Sequence, residues 1–78
     1  MPSEKIEVIS YSGSKGEERP ATFILRGLRI KVVEILDRWI EEGPKGGIRK
    51  RLFRLRGSDG NIHKIYLGEN VLEWYYAF

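Results

Sequence analysis

The sequence predicts an all-β domain, folded as a small curled antiparallel sheet or a partly open barrel of about six strands. Two observations predict this class. Short stretches of alternating apolar and polar residues recur along the chain, and turns rich in glycine, asparagine and aspartate separate them. With 78 residues, of which 41% are hydrophobic and 12% aromatic, the chain can build one core, so we expect a single domain over residues 1–78.

The first strand is predicted over residues 5–11, where Ile6 and Val8 alternate with polar neighbours. A polar stretch with two glycines follows, and we expect residues 12–19 to form a mobile loop because they have nothing to bury. Pro20 then opens the next strand, since its missing N–H costs nothing at the first residue of a strand.

A β-hairpin is predicted over residues 20–32, with a tight turn at Arg26-Gly27. This register places six apolar side chains on one face, in the pairs Leu25 with Leu28, Phe23 with Ile30 and Ala21 with Val32. The turn requires a positive φ at Gly27, a conformation that other residues adopt at a cost.

Residues 28–42 fit two interpretations. Several apolar residues also fall at helical spacing, whereas the β-branched residues of the segment and the absence of an N-cap favour a strand. The apolar alternation shifts by one residue at Val32-Val33, which a β-bulge explains. We therefore predict a long bent strand, and the alternative is a strand that ends in a short helical turn near Asp37–Glu42.

A second hairpin is predicted after a loop at residues 42–47. Its strands cover residues 48–56 and 62–67, and a turn at residues 58–60 places Gly60 in the left-handed region. This loop length pairs Leu55 with His63, Phe53 with Ile65 and Arg51 with Leu67.

The last strand is predicted over residues 71–78, after a turn at residues 68–70. Its alternate residues Leu72, Trp74, Tyr76 and Phe78 share one face. Large aromatic side chains usually supply the core of so small a domain, so we assign Trp39, Trp74, Tyr76 and Phe78 to the core. Tyr75 lies on the opposite face of the strand and is expected to be exposed.

Basic residues are concentrated in one segment. Residues 43–58 carry six bases and no acid, although the formal net charge of the whole chain is only +3. One face of the second hairpin combines cations with a flat side chain, and its residues are Lys50, Leu52, Arg54, Arg56, Ile62, Lys64 and Tyr66. Cations that reach phosphates and rings on which bases stack are typical of sheets that bind nucleic acid. The alternative is an ordinary solvated face, kept soluble and protected from edge pairing by its charges.

No residue pattern points to catalysis or to a metal site. The chain has no cysteine and His63 is its only histidine, so a metal site built from thiolates or from two imidazoles is not available. On the predicted register His63 lies beside Leu55 as a partly buried, hydrogen-bonded residue, with no carboxylate nearby to orient it as a general base. Residues 43–46 have the Gly-x-x-Gly form of some phosphate-contacting loops, but a strand follows them and a plain connection is favoured. We predict that the protein is not an enzyme and uses no cofactor.

A set of residues at defined spacings runs through residues 19–78. It consists of Arg19-Pro20-x-x-Phe23-x-x-Arg26-Gly27-x-x-x-x-Val32, then Trp39, Arg51-x-Phe53, Gly60, Ile65-Tyr66-Leu67 and Trp74-Tyr75-Tyr76-x-Phe78. This pattern resembles an uncharacterised family of small bacterial domains, and it is similar to the C-terminal tail of the ImuB-type Y-family polymerase homologue of the mutasome. The chain departs from that tail at Ile24-Leu25, where a tryptophan is usual, and at Arg49-Lys50-Arg51, where a Trp-Trp pair and acids are common. The resemblance implies a non-catalytic binding module associated with DNA-repair polymerases.

We therefore expect a small cytoplasmic binding module whose first candidate ligand is nucleic acid. Tyr66 would offer a stacking face, and the phosphates would be contacted by Arg49, Lys50, Arg51, Arg54, Arg56 and Lys64. The alternative function is a protein-interaction adaptor that docks an acidic or extended segment of a partner such as the DNA-repair machinery. No apolar run is long enough to cross a bilayer, so a membrane partner is not expected.

Overall fold

The computed structural model describes residues 3–12, 18–44, 47 and 49–78, and these residues form six strands and no helix. The strands are β1 Ser3–Ser12, β2 Glu18–Leu25, β3 Leu28–Glu42, β4 Arg49–Gly57, β5 Ile62–Gly68 and β6 Glu73–Ala77. Every neighbouring pair is antiparallel, and β1 also pairs with β6, so that the barrel is closed. The prediction of an all-β barrel of about six strands is confirmed.

Two long strands close the barrel because each of them contributes to two sheets. The three-stranded sheet contains residues 7–12 of β1, the strand β2 and residues 28–31 of β3. The five-stranded sheet contains residues 32–42 of β3, then β4, β5, β6 and residues 3–6 of β1. The curled sheet expected from the sequence is therefore produced by bends in β1 and β3.

The first turn region differs in part from the prediction. The predicted loop at residues 12–19 includes residues 13–17, which lie outside the described residues, whereas Ser12 and Glu18 pair with each other as the ends of β1 and β2. Pro20 is the third residue of β2 and not its first. It lies opposite Ser10, where the register shifts by one residue, and a bulge tolerates the missing N–H of proline.

The hairpin of β2 and β3 has the predicted turn. Arg26 and Gly27 have φ values of 51° and 80°, and two positive φ angles in a two-residue loop define the turn type that matches strand twist. Leu25 pairs with Leu28 and Phe23 pairs with Ile30, as expected, but the predicted pair of Ala21 with Val32 is wrong, because Val32 pairs with Gly57 of β4. The apolar face is only partly in the core, however, since Leu28 at the hairpin tip is 59% exposed.

The strand β3 is long and bent, and the predicted bulge is present. Val32 pairs with Gly57 and Glu34 pairs with Arg56, so that Val33 has no partner in β4. The alternative with a helical turn near Asp37–Glu42 is wrong, because β3 continues to Glu42.

A second bulge in β3 changes which residues face the core. Ile35 pairs with Leu55 and Asp37 pairs with Arg54, which leaves Leu36 without a partner in β4. One extra residue moves every later side chain of the strand to the opposite face. The assignment of Trp39 to the core is wrong for this reason, since Trp39 instead faces outward.

The core lies between the two sheets. Its buried cluster contains Ile6, Phe23, Ile30, Phe53, Leu55, Ile65, Leu67 and Trp74. Trp74 and the partly buried Tyr76 occupy their predicted places, and Tyr75 lies on the other face of β6. Phe78 is 47% exposed, so its assignment to the core is wrong. Leu72 also lies outside the core at 77% exposure, because the chain turns there with a φ of 55° before β6 begins at Glu73.

Candidate functional site

Four side chains form a row across the outer face of the five-stranded sheet. Trp39 of β3 lies opposite Leu52 of β4, Leu52 lies opposite Tyr66 of β5, and Tyr66 lies opposite Tyr75 of β6. Directly opposed residues share a face, so these four side chains, here called the outer row, are continuous over about 15 Å at about 4.8 Å per strand. Lys5 of β1 lies opposite Tyr75 and ends the row.

The centre of the outer row is covered. Leu52 is only 3% exposed although its strand neighbours Arg54 and Arg56 on the same face are exposed. A groove of about 420 Å³ runs over it, lined in addition by Ser3, Glu41, Lys50, Lys64, Tyr66 and Ala77. The lining combines the Tyr66 ring and the apolar Leu52 and Ala77 with two lysines and one acid, Glu41. The ring and the lysines suit a ligand that has both rings and negative charge.

Two rings of the outer row stack on each other, and two rings of the row each have a lysine nearby. Tyr66 and Tyr75 stack with centroids 5.2 Å apart and planes 20° apart, and Lys50 Nζ lies 4.9 Å from the Tyr66 centroid. Since β4 and β6 flank β5 on opposite sides, Tyr66 has a neighbour on each side. Lys64 Nζ lies 5.8 Å from the Trp39 centroid, and the Trp39 indole N–H donates to Glu41 Oε2 at 2.9 Å. Cation–π contacts of this length are worth about 0.5–1 kcal/mol at exposed sites.

Five of the seven predicted binding residues lie on this face. Four of them come together around the outer row, namely Lys50, Arg54, Lys64 and Tyr66, with Arg54 directly opposite Lys64. Arg54 is exposed and makes no hydrogen bond or ion pair with any other residue that the structure describes. Tyr66 also donates a hydrogen bond to Ser3 Oγ at 3.2 Å, which ties the row to β1.

The three other predicted residues are paired with acids. Arg56 is on the same face, but its guanidinium lies 3.3 Å from Glu34 Oε1. Arg49 and Arg51 alternate with Lys50 and point to the other side of β4, where they lie 3.7 Å and 3.5 Å from Glu69 Oε2. The structure therefore separates Arg49 and Arg51 from the other predicted binding residues.

The acids of β3 lie beside the bases of β4. Four cross-strand pairs join an acid to a base, namely Glu34 with Arg56, Asp37 with Arg54, Glu41 with Lys50 and Glu42 with Arg49. The basic excess of residues 43–58 is therefore offset by its neighbour strand. Only the pairing register between β3 and β4 reveals this charge balance, and that register depends on the two bulges in β3. The positive charge that remains on the outer face is concentrated where Arg54 and Lys64 of β4 and β5 are adjacent.

A hydrogen-bonded cluster around His63 lies at the other end of the β4–β5 hairpin. His63 is 7% exposed, its Nδ1 is 2.7 Å from Tyr76 Oη, and its Nε2 is 3.0 Å from Asp59 Oδ2. A carboxylate only accepts, so Nε2 donates to Asp59, and in the neutral imidazole with that proton the Tyr76 hydroxyl donates to Nδ1. The expectation of a buried, hydrogen-bonded histidine is confirmed. The expectation that it has no carboxylate nearby is wrong, because the turn folds Asp59 back onto it.

Two groups of this cluster, the Asp59 carboxyl and the Tyr76 hydroxyl, have shifted pKa values. Hydrogen bonds from His63 and from the backbone N–H of Asn61 lower the pKa of Asp59 to about 2. Burial, together with the negative charge of Asp59, raises the pKa of Tyr76, so its hydroxyl keeps its proton at neutral pH. An activated nucleophile needs the opposite shift. The cluster joins the β4–β5 turn to β6, with Phe23 packed edge-on against the His63 ring at 5.2 Å.

Two further observations concern metal ions and membranes. The described residues contain no group of three His, Asp or Glu side chains that would hold a metal ion. In that same part of the chain there is no helix of the length and apolarity needed to cross a membrane.

The fold and the outer row define a small closed antiparallel β-barrel with an aromatic and basic outer face. No family model, curated protein or solved structure matches the chain. The resemblance to the small bacterial family and to the polymerase tail accordingly stays a prediction from the residues that carry it.

Proposed function

We propose that the protein is a small non-catalytic binding module that holds single-stranded nucleic acid across the outer row of its five-stranded sheet. The observation that carries this proposal is the continuous row of Trp39, Leu52, Tyr66 and Tyr75, with cations at its borders. The cytoplasmic location and the association with DNA-repair proteins expected from the sequence belong to the same proposal.

Base stacking and phosphate binding, the two components of single-strand binding, use different residues of this face. Bases are bound by stacking on rings, which is tolerant of sequence because every base has a π face. At Trp39 the strand β3 pairs with β4 and with no other described strand. The side of the Trp39 indole that points away from β4 therefore faces no described strand. Phosphates are bound by cations, and Lys50, Arg54 and Lys64 surround the row. Tyr66 acts by supporting Tyr75, since its own ring lies between Tyr75 and Lys50.

The charge distribution determines how such binding depends on salt. Lys50, Arg54 and Lys64 correspond to about three phosphate contacts, which predict a log–log salt slope of about −2 for a single strand. The neighbouring acids Asp37 and Glu41 oppose the ligand, so we expect weak binding that is measurable at low salt.

The test is a titration of a fluorescein-labelled oligothymidylate, followed by anisotropy at salt concentrations from about 20 mM to about 150 mM. The double variant Arg54→Glu/Lys64→Glu should abolish binding. The matched control is Arg29→Glu/Lys31→Glu, which changes the net charge equally but alters exposed residues of β3 in the three-stranded sheet. Equal loss in both variants would show that only net charge matters, and absence of binding at low salt would refute the proposal.

Stacking is tested separately with Trp39→Ala. Loss of one stacked base is worth about 1–3 kcal/mol, so affinity should fall by a factor of about 5 to 150. Phe78→Ala is the matched control, because Phe78 is an exposed aromatic outside the outer row. Thermal stability is measured for each variant, since a fall in affinity counts only for a folded protein.

The alternative function is a protein-interaction adaptor. An acidic partner on the basic strand is disfavoured by the acids of β3, which already lie beside that strand. An extended partner is favoured by a different observation, because beyond Lys31 no strand in the described part of the chain pairs with the side of β3 that faces away from β4.

A further inference from the structure

The groove over Leu52 is lined by one acid, Glu41, although the proposed ligand is an anion. Glu41 lies opposite Lys50 in the register of β3 and β4, where opposite charges usually attract each other. Lys50 instead extends over the Tyr66 ring, with its Nζ 4.9 Å from the ring centroid. In the described part of the chain no lysine or arginine forms an ion pair with the Glu41 carboxylate. This acid therefore has another partner.

The carboxylate of Glu41 is held by the ring at the β3 end of the outer row. Trp39 Nε1 donates to Glu41 Oε2 at 2.9 Å, and both side chains are on the outer face of β3. A carboxylate offers about four lone-pair positions, of which the indole N–H takes one. Glu41 Oε1 accepts no hydrogen bond from any residue that the structure describes. The contact fixes the carboxylate beside the Trp39 ring and leaves Oε1 available to a ligand.

The place of this carboxylate in the groove determines what it can contact. Leu52 lies opposite Trp39 on one neighbouring strand and opposite Tyr66 on the other. A base that lies over Leu52 has Glu41 next to it, because both residues line the same groove. The edge of that base has to donate hydrogen bonds to Glu41, since a carboxylate only accepts them.

The four bases differ in the donors on their Watson–Crick edges, which are exposed in a single strand. Guanine presents two adjacent donors, N1–H and the N2 amino group, which match the two oxygens of a carboxylate. Adenine and cytosine each present one amino group beside a ring nitrogen that accepts. Thymine presents one N–H between two carbonyl oxygens, which repel a carboxylate. Guanine is therefore the base that Glu41 accommodates best.

We propose that Glu41 makes the outer row selective for guanine, by accepting N1–H and the N2 amino group of a base that lies over Leu52. This inference rests on the proposed function, and it names the base that the groove prefers. The negative charge of Glu41 weakens the binding of phosphates in every sequence, whereas its bidentate pairing with one base provides specificity. A good bidentate pair discriminates between bases by a factor of about 5 to 150.

The probes are fluorescein-labelled oligothymidylates of about five nucleotides, whose central thymine is kept or replaced by guanine, hypoxanthine or adenine. Anisotropy titrations at about 20 mM salt give the four affinities. The guanine probe should bind about 5- to 150-fold more tightly than the thymine probe. Hypoxanthine keeps N1–H but lacks the amino group, so its affinity should lie between these two. Adenine stacks as a purine without the donor pair, so the adenine probe should bind more weakly than the guanine probe.

Glu41→Gln tests the role of the carboxylate, and Asp37→Asn is its matched control. Both variants remove one acid of β3 that lies opposite a base of β4, but Asp37 does not line the groove. Loss of a negative charge should raise the affinity of both variants for every probe. Only Glu41→Gln should also bring the ratio of guanine to thymine affinity close to one. Thermal stability is measured for both variants, since affinities are compared between folded proteins.

Two results would overturn the guanine preference while the proposed function stands. The first is a guanine probe that binds no more tightly than the thymine probe or the adenine probe. The second is a guanine preference that persists in Glu41→Gln, because another group would then read the base. Absence of binding by all four probes would overturn the proposed function and the guanine preference together, so the two failures are distinguishable.

Discussion

Replacing Gly57 by alanine would place a methyl group in the junction between β3, β4 and the β4–β5 turn. An added Cβ at this position would lie 2.6 Å from Ile30 Cγ2, 2.7 Å from Asp59 Oδ1 and 3.1 Å from His63 Cδ2. Carbon atoms attract each other best at about 3.5–4.0 Å, so the Ile30 methyl group would have to withdraw by about 1 Å. Ile30 is 2% exposed and lies in the core cluster, which leaves it little space to do so.

The size of the effect follows from this overlap. Overpacking of a dense core costs about 1–3 kcal/mol, while the total free energy of unfolding of a chain this long is about 4–12 kcal/mol. For a domain of this size a loss of 1 kcal/mol lowers the Tm by about 4–8 °C. We therefore expect Gly57→Ala to lower the Tm by about 8–16 °C, for a loss of about 2 kcal/mol.

Thermal unfolding followed by circular dichroism measures this shift, and a second variant identifies its cause. Leucine has no Cγ2, so Ile30→Leu removes the atom that the new methyl group overlaps most. The double variant Gly57→Ala/Ile30→Leu should then be more stable than the sum of the single effects, with a coupling of about 0.5–3 kcal/mol. A Tm of Gly57→Ala close to that of the wild-type protein would show that the strands do not approach as described.

Three further predictions concern the turns and the last strand. Gly27→Val should lose about 1 kcal/mol or more of stability through backbone strain alone, because no atom lies within 4 Å of its Cβ position and its φ is +80°. Gly27→Asn should lose less stability, because asparagine tolerates this φ. Equal Tm values of the two variants would contradict the turn. Asp59 has a folded-state pKa of about 2 against a usual 3.8, so its contribution to stability is present above about pH 4 and is lost as the pH falls through about 2. The Tm of Asp59→Asn should therefore fall less steeply over that pH range than the Tm of the wild-type protein. Parallel plots of Tm against pH for the two proteins would refute the contact with His63. Deletion of residues 74–78 removes β6 and Trp74 from the closed barrel and should leave a poorly folded chain, which dispersed amide resonances would contradict.

Much of the strand pairing was predictable, because it depends on parity and on turn chemistry. The registers of both central hairpins follow from their loop lengths, with positive φ angles at Gly27 and Gly60 as the turns require. The bulge at Val33 is visible as a break in the apolar alternation.

The second bulge was not predictable in this way, and the candidate site depends on it. Leu36 is apolar like its neighbour Ile35, so the alternation of apolar and polar residues does not reveal the extra residue. Without that bulge Trp39 would face the core, whereas with it Trp39 lies at the β3 end of the outer row. The acid–base pairs between β3 and β4 follow the same register, so the net charges of chain segments could not predict them either. The contact of Asp59 with His63 arises from the three-dimensional path of a turn, which residue spacing does not specify.

The two tryptophans allow the most direct test of the proposed function, because each gives its own indole N–H resonance in a ¹⁵N-labelled sample. Trp39 belongs to the outer row, whereas Trp74 is buried in the core. On addition of an oligothymidylate at about 20 mM salt, where charge interactions reach beyond about 20 Å, we expect the Trp39 indole to shift together with the amides of Arg54, Lys64 and Tyr75. The Trp74 indole should stay in place, and the shifts should reverse at high salt. Unchanged indole resonances in an excess of oligonucleotide, or shifts confined to the three-stranded sheet, would contradict the proposal.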